Sequence, residues 1–221
     1  MYPPEMFFDL KDFKWNGIFK NVENTWEVLV KLRERVSSFL WQECGKKDSP
    51  EEYFCYKEKG VIIETGVTFK GQIMIGENSE IRSGAHLRGP IIIGKNCVVG
   101  HSSEIKSSIL LDGAKAPHLN YVGDSILGKN VNLGAGSKLA NWKHTHSLVY
   151  VEKISTGLKK FGVVVGDGAQ IGCNAVLNPG TLIEKKGWVY PNDTLEGFWT
   201  RKLLWERLRK KTKEANKPSL A

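Results

Sequence analysis

The sequence predicts a mainly β chain wound as a parallel β-helix, and three observations lead to that class. An aliphatic or aromatic residue returns every sixth position through Ile63, Phe69, Ile75, Ile81, Leu87, Ile93, Val99, Ile105 and Leu111. The residue after it is Gly at 76, 94 and 100, and the fifth place of the hexad is mostly small or β-branched, as at Val67, Ile73, Ala85, Cys97 and Ser103. The register resumes at Leu127, Leu133 and Leu139 and again at Val165, Ile171, Leu177 and Ile183. A period of six matches neither a helix (about 3.6 residues) nor an isolated strand, but it suits a solenoid whose flat faces each take one hexad, three to a coil.

In chain order, residues 1–60 ignore the hexad rule and form an N-terminal helical cap segment. NVENTWEVLVKLRERVSSFLWQE reads as an amphipathic helix with Trp26, Leu29, Val30, Val36 and Leu40 on its apolar side, capped by Asn24 or Thr25. It either shields the open end of the solenoid or docks a partner. Residues 61–190 are the β-helix. Its register breaks between Leu111 and Leu127, where Val122 arrives eleven positions after Leu111 and Leu127 five later, so two hexads are each one residue short. That segment, AKAPHLNYVGDS, contains His118, and a break in a regular pattern is where chemistry is sought first. From 141 to 161 the repeat stops for about twenty residues, a length that suggests a functional or subunit-bridging loop. Residues 191–221 carry a helix from about Leu195 to Lys213, with Asp193 or Thr194 as cap and Trp199, Leu203 and Leu208 on one side.

Composition bounds the function. The chain has 221 residues, 41% of them hydrophobic, enough for one main core with appendages. No run approaches the roughly 18 apolar residues of a membrane span, and MYPPEMFFDLKDFKW lacks the basic and apolar regions of a signal peptide, so the expected compartment is the cytoplasm without a membrane partner. Cys44, Cys55, Cys97 and Cys173 have no C-x-x-C spacing, and two of them lie inside hexads, so they read as buried free thiols rather than disulfides or zinc ligands. The net charge is +8, of which the stretch from Arg201 to the end, including Lys217, supplies +6, so the charge is local and gives no nucleic-acid footprint.

With 18 residues per coil, Lys70, Arg88 and Lys106 stack on one edge, a strand spacing of about 4.8 Å apart. Three stacked cations repel unless an anion lies beside them, and a phosphate is the natural guest, with Arg88 offering a bidentate fork. The bland alternative is three solvated side chains.

The hexads LGKNVN, LGAGSK, VGDGAQ and IGCNAV resemble the hexapeptide-repeat acyltransferases, which implies a left-handed helix and a homotrimer. The run HLNYVGDSILGKNVNLGAG (118–136) resembles the acetyltransferase domain of bifunctional glucosamine-1-phosphate acetyltransferase/N-acetylglucosamine-1-phosphate uridylyltransferases. The resemblance implies a catalytic His at His118, sugar contacts at Tyr121 and Asn132, phosphate binding at Arg88 and Lys106, and a carboxylate at Glu104. Lys70 joins them as the third member of the column. On the coenzyme side it implies Ala135, Asn141, Trp142 (where the family has Tyr) and Cys173 (where it has Ser). STGLKKFGVVVGD resembles archaeal sugar-1-phosphate nucleotidylyltransferase/acetyltransferases. Together these imply acetyl-CoA as co-substrate and an amino-sugar phosphate as acceptor, with no metal required.

In that chemistry His118 accepts the proton of the sugar ammonium, the turn Leu133-Gly134-Ala135-Gly136 presents an N–H to the oxyanion, and the held phosphate fixes the amine. Residues 1–60 offer only Gly17, Gly45 and Gly60, so no phosphate-cradling loop is expected and no nucleotidylyl transfer. The alternatives are an acyltransferase on a nucleotide-linked amino sugar and a non-catalytic trimeric scaffold. A metal-dependent carbonic anhydrase is disfavoured by the spacing of His86, His101, His118, His144 and His146.

Overall fold

The computed structural model of the chain describes residues 1–45 and 53–215; Lys217 lies outside them. Short parallel strands stack into three faces. The first runs through Ile62–Ile63, Glu80–Ile81, Val98–His101, Lys115–His118, Asn132–Leu133, Gln170–Ile171 and Trp188–Val189. The second runs from the start of Thr68–Ile75 through His86–Arg88, Glu104–Lys106, Tyr121–Gly123, Lys138–Leu139, Val176–Leu177 and Thr194–Leu195. The third starts at the other half of Thr68–Ile75 and continues through Ile91–Ile93, Ile109–Leu110, Ile126–Leu127, Val163–Val165, Thr181–Ile183 and Phe198–Trp199. The architecture is the left-handed parallel β-helix that the hexads and the resemblance led us to expect.

The local chemistry explains the winding. Ile75, Ile81, Leu87, Ile93, Val99 and Ile105 all point inward and are fully buried in one core. Between the third and first faces the chain turns at Gly60, Asn78, Asn96, Gly113, Asn130 and Gly168, all with φ between 55° and 75°. Gly and Asn enter this left-handed region at the lowest cost, which is why the hexad turns are written with them.

The register differs from the expected one at a definite place. Leu110, not Leu111, takes the inward position opposite Ile93, and Leu111 turns to the outer apolar cluster. The short hexads therefore close on Leu110 and Leu127. Each follows a corner residue in left-handed conformation, Ser107 (φ 45°) and Asp124 (φ 44°). The hydroxyls of Ser108 and Ser125 donate back to Lys106 O (2.7 Å) and Gly123 O (2.6 Å), closing the tightened corners. Hydrophobicity alone does not separate two adjacent leucines.

The N-terminal segment also differs from the cap expected. Its helices are α1 (Pro4–Phe7), α2 (Glu27–Val30) and α3 (Leu32–Cys44). They cover the outer side of the third face rather than shielding the open end of the solenoid. The outward residues of that face, Met74, Ile92, Ile109, Ile126, Val164 and Leu182, are fully buried in one cluster with Phe7, Phe8, Phe13, Trp15, Ile18 and Trp26. Burial on both sides is the reason for the apolar runs Ile91–Ile93 and Val163–Val165. Trp26, Val36 and Leu40 are buried as expected, whereas Val30 is 60% exposed because α2 ends there.

At the other end α4 (Arg201–Ala215) begins six residues later than the sequence suggests, since Thr194–Leu195 and Phe198–Trp199 first complete a further coil. Leu204 is the α4 residue that enters the core, while Leu203 is exposed. Asp193 does not cap the helix. Nearly buried, it accepts from Arg207 (2.9 and 3.1 Å) and pairs with Lys211. Desolvation alone would raise its pKa, but these two cations outweigh that and hold the carboxyl below its usual range. The 141–161 loop folds back on its own chain in its second half: Val149, Val151 and Phe161 are fully buried beside the N-terminal aromatics, with Phe161 and Trp26 rings 6.0 Å apart. The stretch from His144 to Ser147 and the hairpin tip around Glu152 to Ser155 remain exposed.

Candidate active site

The cation column exists. Lys70 stands in register with Arg88, and Arg88 with Lys106, at the corner between the second and third faces. The anions beside it belong to the protein: Arg88 donates to Glu104 (2.7 Å) and Lys106 to Asp124 (2.8 Å). The Glu104 hydrogen bond holds the Arg88 guanidinium above even its ordinary range. Two of the three expected charges are thus balanced without a ligand, while Lys70 pairs with no carboxylate among the described residues. The column lines a small cavity of about 210 Å³ with Gly71, Gly89 and Ser107, and Arg33 reaches it from α3.

A network leads from the column to a larger cavity. Asp124 also accepts from Asn141 Nδ2, and Asn141 Oδ1 accepts from the Tyr121 hydroxyl at 3.2 Å. Burial, then the charges of Glu104 and Asp124, push the Tyr121 phenol up, so it stays a donor. Tyr121, Glu104, Asn141 and Trp142 line a cavity of about 480 Å³ together with Leu119, Asn120 and Lys138. Asn141, expected on the coenzyme side, is bonded into the group that holds Lys106. Trp142 packs edge-on against His146 with centroids 5.1 Å apart and carries the Lys160 ammonium 5.2 Å over its ring.

His118 lies on the neighbouring corner, between the first and second faces, and lines neither cavity. Its backbone is fixed on both sides while its ring is exposed: its N–H donates to Asn120 Oδ1 (3.0 Å) and its carbonyl accepts from Gly136 N–H (3.0 Å). Asn120 in turn donates to Gly134 O (2.8 Å) and Ser137 Oγ (2.9 Å), which ties the catalytic candidate to the glycine-rich turn. The turn residues on this corner are Gly66, Gly84, Ser102, Leu119, Gly136, Asn174 and Asn192, all with positive φ. Leu119 is the bulky exception, at φ 53° and 61% exposed. A branched residue in this region costs on the order of 1 kcal/mol, and such strain clusters at ligand sites. Ala135 lies beside His118 in the next coil, and Cys173 follows, since Asn174 N–H donates to Ala135 O (2.9 Å). These three therefore line one edge. Asn132 sits apart on the first face, in register with Lys115 and Gln170.

Sequence reasoning missed two residues. Asp124 lies 18 positions after Lys106, and that spacing was available as a signal. Arg33 carried no signal, because its place depends on how α3 docks. Among the described residues no three His, Cys, Asp or Glu side chains gather as a metal site, and no helix is long and apolar enough to cross a membrane. Of the four cysteines expected to be buried, Cys97 is buried and Cys55 half-buried, whereas Cys44, at the end of α3, and Cys173, on an outer corner, are exposed.

Residues 69–187, more than half of the chain, match the family model described as GMPPB C-terminal domain. The chain belongs to that family. A bifunctional sugar-1-phosphate nucleotidylyltransferase/acetyltransferase of Sulfurisphaera tokodaii is 38% identical over 151 residues, 58% of this chain and 38% of that protein. A bifunctional protein GlmU of Methanococcus aeolicus is 31% identical over 197 residues, 83% of this chain and 46% of that protein. This member of the family thus spans under half the length of these curated relatives. The UDP-N-acetylglucosamine O-acyltransferase structure from Moraxella catarrhalis aligns at 16% identity and a TM-score of 0.43, over 71% of this chain and 76% of that one.

Proposed function

We propose that this chain is an acetyltransferase that moves the acetyl group of acetyl-CoA onto the amine of a hexosamine 1-phosphate, glucosamine or galactosamine 1-phosphate. The observation that carries the reading is the Arg88 and Lys106 column joined through Asp124, Asn141 and Tyr121 to the larger cavity. A phosphate at the column places the sugar over Tyr121. Similarity to a relative named as a bifunctional sugar-1-phosphate nucleotidylyltransferase/acetyltransferase supports the same class.

In this reading His118 takes a proton from the sugar ammonium and releases it to solvent, the freed amine attacks the thioester carbonyl, and His118 then carries the second nitrogen proton from the tetrahedral intermediate to the departing coenzyme thiolate as the C–S bond breaks. An N–H of the turn at 133–136 stabilises the tetrahedral oxyanion. The edge through Ala135 and Cys173 receives the coenzyme arm. His118 lies a corner away from the phosphate column, and a trimer would bring a second copy of this edge to the cavity. The tip of the 141–161 loop would then meet the neighbouring subunit. Light scattering at micromolar concentration should give three times the chain mass, and a monomer would defeat this part.

One assay tests the reaction. Release of free thiol from acetyl-CoA should depend on glucosamine 1-phosphate or its galactosamine counterpart, and be far weaker with the unphosphorylated sugar. Equal rates with and without the phosphate would remove the role given to the column. Arg88→Ala should raise KM for the phosphorylated acceptor with kcat little changed, because a clamp present in ground and transition states contributes uniform binding. The same 221 residues should release no pyrophosphate from UTP with magnesium and an N-acetylhexosamine 1-phosphate, since the N-terminal segment is an aromatic cover rather than a nucleotide-cradling loop.

A further inference from the structure

We propose that Arg33, on α3, is a phosphate-binding residue that makes this site specific for a phosphate monoester; the proposal rests on the acetyltransferase reading for its substrate but not for its anion. Arg33 lines the 210 Å³ cavity with Lys70, Arg88 and Lys106. Four cations meet there, against the two carboxylates Glu104 and Asp124. Arg33 and Lys70 pair with no acid among the described residues. The uncompensated charge is therefore +2, which matches a phosphate monoester near neutral pH at about −1.5 to −2. The volume suits a phosphoryl group and not a nucleotide.

The fold fixes Arg33 in this place. Ser37, one helical turn further on and so on the same side of α3, accepts a hydrogen bond from Gln72 (2.8 Å), two residues after Lys70. Leu32 and Val36 anchor the helix in the outer apolar cluster. The neighbouring Arg35 is spent on structure, donating to the carbonyls of Gly17 (3.0 Å), Ile18 and Lys20 (2.9 Å). Among the described residues Arg33 has no such partner. The N-terminal segment thus does more than cover the third face: it adds a second guanidinium to the one that Arg88 brings from the β-helix.

The test compares the wild type with Arg33→Gln, Arg33→Lys and, as a control on the same helix, Lys31→Gln. Two readouts are used: stabilisation of Tm by inorganic phosphate, and KM for glucosamine 1-phosphate. Arg33→Gln should keep the anion-free Tm, lose most of the phosphate-induced shift, and raise KM about tenfold with kcat within about twofold, the scale of one lost charge-assisted contact made in both states. Arg33→Lys should recover part of each effect, as a point charge without the fork. Lys31→Gln should match the wild type. If Arg33→Gln keeps the wild-type phosphate shift and KM, or if phosphate does not stabilise the wild type, the proposal is overturned. If the wild type fails to acetylate any amino-sugar phosphate yet loses its phosphate shift on Arg33→Gln, the anion site stands and the acetyltransferase reading falls.

Discussion

Replacing His118 with Ala is expected to cut turnover by about 10²–10⁴, the usual range for a lost general base, with no change in Tm. The second half of that expectation follows from how the residue is held. Every contact that fixes its position is made by backbone, through Asn120 and Gly136, and the exposed imidazole packs into no core. Removing the ring therefore takes away a proton acceptor and little else. The KM values for both substrates should move by less than about threefold, since the phosphate column and the Tyr121 network lie on another corner. Steady-state kinetics of thiol release together with a melting curve check it. A variant with near-full activity would take His118 out of the mechanism, and a scaffold would show no dependence to begin with.

Gly100→Ala should produce the largest loss of stability. Gly100 lies against Pro117 in the adjacent coil, and a Cβ there would sit on the Pro117 carbonyl, with Pro117 Cα only 2.5 Å away. Backbone cannot swing aside as a side-chain tip does, so the two coils must part. Overpacking of this kind costs about 1–3 kcal/mol or more, which for a chain of this size lowers Tm by roughly 5–10 °C. The displaced residue immediately precedes His118, so activity should fall further than the melting temperature alone explains. Gly17→Ala, where the nearest side-chain atom stands 3.9 Å from the new methyl, serves as the control and should melt as the wild type does. An unchanged Tm for Gly100→Ala would mean that the coils are looser than the strand register implies.

The solenoid was legible because its rule is local. Ile75, Ile81, Leu87 and Ile93 state the period, and Gly and Asn mark the turns, so the stacking of Lys70, Arg88 and Lys106 follows by counting. What escaped was whatever depended on packing from outside that rule. The Met74, Ile92, Val164 and Leu182 column looks in sequence like filler between core positions, and only the docked N-terminal aromatics show that it is a second core. Leu110 and Leu111 are equally apolar, so the short corner was misplaced by one residue. Asp193 was read as a helix cap because it precedes a helix-forming stretch, yet Arg207 and Lys211 reach back along the helix to claim it. Within the site, counting by 18 stacked Lys70, Arg88 and Lys106 but gave no hint that α3 would carry Arg33 to the cavity they line.

The buried third face also sets a schedule for synthesis. Phe7, Phe8, Trp15 and Trp26 leave the ribosome before the third face does, and the column that covers them is complete only when Leu182 has been made. At roughly 5–20 residues per second, those rings wait about 10–35 seconds without their full partner surface. During that time they are a sticky aromatic ribbon tethered to a growing set of coils, open to chaperones or to the same ribbon on a neighbouring nascent chain. Each new coil contributes one more residue to the landing strip, so the ribbon can be drawn down stepwise, from Met74 toward Leu182, as the solenoid lengthens.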